Sequence, residues 1–99
     1  MNNPPLPNTE TVILHDGSQA NRRFYNRLKH AAEAGIKKMR PEVPTTFRRI
    51  CGDAMWNTLV GGEVSLAGLC GVTMARNGDL SLTVLDQRDE KNARLYVLK

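Results

Sequence analysis

Cys51, Cys70, His15 and His30 are the side chains in this sequence best suited to nucleophilic or metal chemistry. His15-Asp16 has the form of a base and its orienting carboxylate, and either thiol could supply a nucleophile. Nothing in the sequence brings them together, because no G-x-S-x-G and no cysteine-protease context surrounds them. The favoured reading is a turn at His15-Asp16-Gly17 plus two free thiols in the core, since a thiol in an apolar run behaves as a small hydrophobe. Zinc ligands come in close pairs, whereas every gap between these four residues exceeds ten positions, so no metal site is expected. Gly61-Gly62 lacks a following Lys-Ser or Lys-Thr, and no G-x-G-x-x-G occurs. The expectation is therefore a binding protein, not an enzyme, without metal or cofactor.

The basic side chains say more. Residues 18–49 hold nine Lys or Arg and two Glu, a local balance of +7, within a chain whose net charge is only +4. Arg22, Arg23, Arg27 and Lys29 fall on a helix, Lys37, Lys38 and Arg40 in the connection after it, and Arg48 and Arg49 in the next helix. Such a field attracts nucleic acid, DNA or RNA, or an acidic protein surface. The alternative is a solvated basic face with no ligand. If nucleic acid binds, these nine residues would contact phosphate, which gives affinity and orientation but little choice of sequence.

Trp56 is the most informative single residue. At the spacing of one continuous helix it lies opposite Phe47, Cys51 and Ala54 and shares its face with Arg49 and Asp53. Trp beside Arg is the composition of an interface hot spot, so Arg49 and Trp56 are the candidate protein-binding pair. The structural alternative packs Trp56 into the core. Phe24 reads as core and Tyr25 as a boundary residue.

These residues need elements to hold them. Thr11-Val12-Ile13-Leu14 is a short β-prone run ending in the turn signal, and Asp16 or Ser18 could cap the helix after it. Ala20, Phe24, Leu28, Ala31 and Ala32 predict a helix over 18–35 closed by Gly35. A second helix is expected over 46–60, capped by Thr45 or Thr46, with Phe47, Ile50, Cys51, Ala54 and Thr58 as its stripe and Gly61-Gly62 as its end. A third, over 64–77, is expected to be capped near Ser65 and closed by Asn77-Gly78. It is apolar nearly all round and so should be the most buried element. Residues 80–85 and 94–98 predict a hairpin with a polar tip.

The fold class expected is α+β: a three-helix core with a C-terminal β-hairpin, and strand 11–14 joining that hairpin. This is a winged-helix outline, with Arg88, Lys91 and Arg94 as wing contacts to a nucleic-acid backbone. The third helix has only Arg76 charged in its body, too few polar groups to read base edges. The chain's 99 residues suffice for a single domain over 11–99, preceded by a flexible arm over 1–10. The arm has no basic residue and no apolar block, and no apolar run is long enough to span a bilayer, so a cytoplasmic protein without a membrane partner is expected.

Overall fold

Gly17 adopts φ +89°, and the chain doubles back on itself at once. Asp16 Oδ1 accepts from the Ser18 amide and hydroxyl at 3.0 and 2.6 Å, which fixes the turn. Strand β1 (Thr11–Ile13) therefore pairs antiparallel with β2 (Gln19–Asn21), Val12 opposite Ala20. The expected pairing of 11–14 with the C-terminal hairpin is thus corrected: the nearest edge in sequence closes the shortest loop at the least entropic cost. The structure, a computed structural model, describes residues 11–99, and the arm expected over 1–10 lies outside the described residues.

β2 displaces the first turn of the expected helix. Helix α1 is Arg22–Ile36, and its cap is Asn21, whose Oδ1 accepts from the Arg23 and Phe24 amides at 2.8 and 3.4 Å. Neither Asp16 nor Ser18 serves as the cap. Phe24, Tyr25, Leu28 and Ala32 form its buried stripe. Tyr25 is core and not boundary, because its hydroxyl can be buried while donating to Asp79 Oδ2 at 2.7 Å. The helix runs through Gly35, the residue expected to end it. A Cβ on Gly35 would fall on the Ile50 carbonyl oxygen, so this glycine serves close packing.

Strand β3 (Thr45–Thr46) follows the basic connection, and Thr46 Oγ1 accepts from the Arg49 amide at 3.3 Å to cap α2 (Phe47–Cys51). The expected helix over 46–60 breaks at Gly52, whose φ of +94° and ψ of 153° are not helical. A second short helix, α3 (Asp53–Trp56), leaves at a new angle, and Ala54 and Thr58, expected on the buried stripe, are exposed. Helix α4 (Glu63–Asn77) starts without a side-chain cap. The Glu63 carboxylate instead accepts from the Val60 amide at 2.9 Å, and its charge suits the helix start. The helix ends as expected at Gly78 in the left-handed region, with the Asp79 amide donating to Met74 O and the Gly78 amide to Ala75 O.

Strands β4 (Leu82–Arg88) and β5 (Arg94–Leu98) pair antiparallel, Val84 opposite Tyr96, with an irregularity before Arg88. β3 pairs with the other edge of β5, Thr45 opposite Tyr96, giving the sheet order β3-β5-β4. The fold is α+β, with a helical core, a C-terminal hairpin and two small antiparallel sheets. Tyr96, Leu28, Met74, Leu82, Thr73 and Cys70 are its most buried side chains. α4 is buried continuously only from Cys70 to Ala75. It has the most buried residues of the described helices, as expected, but its first half is open: Val64 is 45% exposed and Leu66 and Leu69 are half-buried.

Candidate nucleic-acid interface

The exposed first half of α4 faces an open groove of about 1280 Å³. Val64, Leu69 and Val72 give it an apolar side. Opposite stand α2 and α3, which contribute Arg48, Arg49 and Trp56, and the β4–β5 tip, which contributes Arg88, Lys91 and Arg94. Two sets of residues far apart in sequence, the wing cations and the Arg49–Trp56 pair, thus share one depression. Asp53, Asp89 and Glu90 also line it. Asp53 lies 3.4 Å from Arg48 in an exposed pair, which holds little energy. Asp89 is occupied by the tip itself, its Oδ1 accepting from the Lys91 and Ala93 amides at 2.9 and 2.8 Å.

Trp56 reaches this groove because of the break at Gly52. A single helix would have set it opposite Phe47, whereas the turned α3 brings the two rings edge to face with centroids 6.3 Å apart. Phe47 in turn packs on Tyr96 at 5.8 Å. Trp56 is half-buried, one side on the core and the other in the groove. Arg88 and Arg94 are partly committed to their own hairpin, donating to Asn92 O at 2.9 Å and Leu85 O at 3.4 Å. Among the described residues Arg94 Nε is buried without a partner.

The α1 cations do not all share one face. Arg23 and Arg27 lie on its exposed side, and Arg27 Nη2 donates to Thr58 Oγ1 at 3.1 Å, bridging to the end of α3. Arg22 and Lys29 are half-buried at the other margin, and Lys29 lies 3.9 Å from Glu33. Lys37 is exposed at the helix end. Lys38 and Arg40 turn toward α2 and, with Arg49, line a second depression of about 410 Å³ between α1, the connection and α2. Arg49 lines both depressions.

The nucleophile candidates stay apart. The His15 amide donates to Thr73 Oγ1 at 2.9 Å, and its Nδ1 lies 3.2 Å from the same oxygen. Thr73 Oγ1 donates to Leu69 O at 2.9 Å, so His15 pins the first hairpin to α4. Asp16 is held by Ser18, whose hydrogen bonds lower its pKa. Both cysteines are free, and burial pushes their thiols up to about 12, which leaves little thiolate at neutral pH. No group of three or more His, Cys, Asp or Glu among the described residues could hold a metal ion, and none of their helices is long and apolar enough to cross a membrane.

Sequence reasoning missed the exposure of the first half of α4 and the small apolar lining of the second depression. The signals were faint: Gly68 on the exposed side of an otherwise apolar helix, and Ala31, Ala34 and Gly35 as small residues beside the basic run. No protein-family model, no curated protein and no solved structure matches this chain.

Proposed function

We propose that this chain is a small, non-enzymatic accessory or regulatory protein of the cytoplasm that binds nucleic acid along a cationic band. The observation that carries this reading is the position of Arg49 on both depressions. Through it, Lys38 and Arg40 on one side join Arg48, Arg88, Lys91 and Arg94 on the other. The contacts are to phosphate and not to base edges. α4 would be the recognition helix in a winged-helix reading, yet its charged residues are only Glu63 and Arg76, at its two ends. Trp56 adds an aromatic face on which a base can stack.

The test is a titration of labelled single- and double-stranded DNA and RNA at several salt concentrations. Replacing Arg48, Arg49 and Lys91 by Ala should flatten the slope of log K against log salt by roughly 2–3 on duplex DNA, about 0.9 for each phosphate left without its cation. Absence of binding to every polymer at low salt rejects the reading. One observation favours a second reading, a protein-interaction module or inhibitor that takes an acidic surface of a larger protein: Trp56, Val64, Leu69 and Val72 give the groove an apolar side. That reading expects Trp56→Ala to abolish capture of the protein partner, with no polymer affinity to lose.

A further inference from the structure

The smaller depression differs from the groove in its charge. Among the described residues every charged side chain at its rim is a cation, Lys38, Arg40 or Arg49, whereas the groove mixes cations with three acids. Among the described residues none of these three cations is in an ion pair. Between them the lining is largely apolar, from Ala31, Ala34, Met39 and Val43. The volume of about 410 Å³ falls in the range of roughly 300–1,000 Å³ typical of small-ligand sites. The hollow depends on Gly35, whose missing side chain lets the Ile50 carbonyl close its inner end.

Three cations with no acid among them favour an anion of more than one charge, and an apolar lining favours an organic body attached to it. An internal phosphodiester carries one negative charge. A phosphate monoester carries about −1.5 to −2 at neutral pH and presents three acceptor oxygens. We infer that this depression is a pocket for the terminal nucleotide of a nucleic-acid strand, its end phosphate on Lys38, Arg40 and Arg49 and its base and sugar over Met39 and Val43. The inference rests on the nucleic-acid reading and deepens it. The band then has a direction, with a strand end at the α1–α2 junction and the following phosphates led past Arg49 into the groove.

The test uses one single-stranded oligonucleotide in three forms: with a 5′-phosphate, with a 3′-phosphate, and with neither. One phosphorylated form should bind roughly tenfold tighter than the bare form, the scale of one added charge-assisted hydrogen bond. Ala34→Leu fills the hollow and keeps all three cations, on an exposed helix position that tolerates Leu. It should erase the preference, so that the three forms bind alike. Arg40→Ala should erase it as well. Equal binding of all three forms, or a preference that survives Ala34→Leu, overturns the pocket while the cationic band stands. Adenosine monophosphate and adenosine, titrated against backbone amide resonances, separate the two claims. If no oligonucleotide binds but the monophosphate alone shifts Ala31, Ala34, Met39 and Val43, the phosphate-monoester pocket is retained and the nucleic-acid reading fails.

Discussion

Gly35 has no room for a methyl group, because the Ile50 carbonyl stands where it would go. Gly35→Ala must push α1 and α2 apart, and overpacking of this kind costs about 1–3 kcal/mol or more. A thermal melt of that variant, set beside Ala34→Gly on the exposed side of the same helix, checks it. The exposed change should cost no more than about 1 kcal/mol, from helix propensity alone. The pattern of apolar residues could mark Gly35 as special but not say why, since its constraint comes from a carbonyl fifteen positions away. Trp56 was illegible for a related reason. Its expected face depends on a helix that continues through Gly52, and a glycine in sequence does not declare whether it bends the chain.

Helix α4 is expected from its composition to be the most buried element and has the most buried residues of the described helices, yet burial is continuous only from Cys70 to Ala75. Met74→Ala should therefore cost roughly 2–5 kcal/mol, as a fully buried side chain leaving a cavity. Leu69→Ala, half-buried at the groove, should cost only about 1 kcal/mol. Chemical denaturation of the two variants tests the order, and equal losses would mean that the groove is closed in solution. The helices α1 and α4, the C-terminal hairpin and the left-handed Gly78 were legible because each follows from local periodicity or one turn residue. β3 was not, since two threonines become a strand only when β5 offers them an edge. The groove was half legible. Its cations and Trp56 stood out by type, but their meeting depends on the Gly52 break and on the docking of the hairpin tip.

At the scale of the whole molecule, four acidic protons are retained by burial. The Tyr25 hydroxyl is held well above its ordinary range by burial and then by Asp79, and the Tyr96 hydroxyl by burial. The Cys51 and Cys70 thiols rise to about 12. The unfolded chain gives up these protons at lower pH than the folded one, so the folded state binds more of them and stability falls as pH rises. The contribution is complete below about pH 8 and is lost progressively above it, first through the thiols and then through the tyrosines. The four groups should add no slope to the melting temperature below about pH 8 and a decline above it. Tyr25→Phe, which removes one of the four groups, should make the decline shallower, and an unchanged profile would rule out Tyr25 as a contributor.

The pairing of β3 with β5 also bears on the order in which the molecule assembles. It joins residues half the chain apart through a two-residue ladder, so loop closure is costly and the immediate gain is small. The local hairpins and α1 can form before it, and the sheet is completed late. Thr45→Ala should therefore speed unfolding and leave the refolding rate nearly unchanged, as read from the two arms of a chevron plot. A slower refolding arm would place β3 in the nucleus instead. Because α2 is capped from Thr46 within the same strand, closure of β3 also completes the hold on the helix that carries Arg48 and Arg49. A partner that grips them would act as a latch on that step.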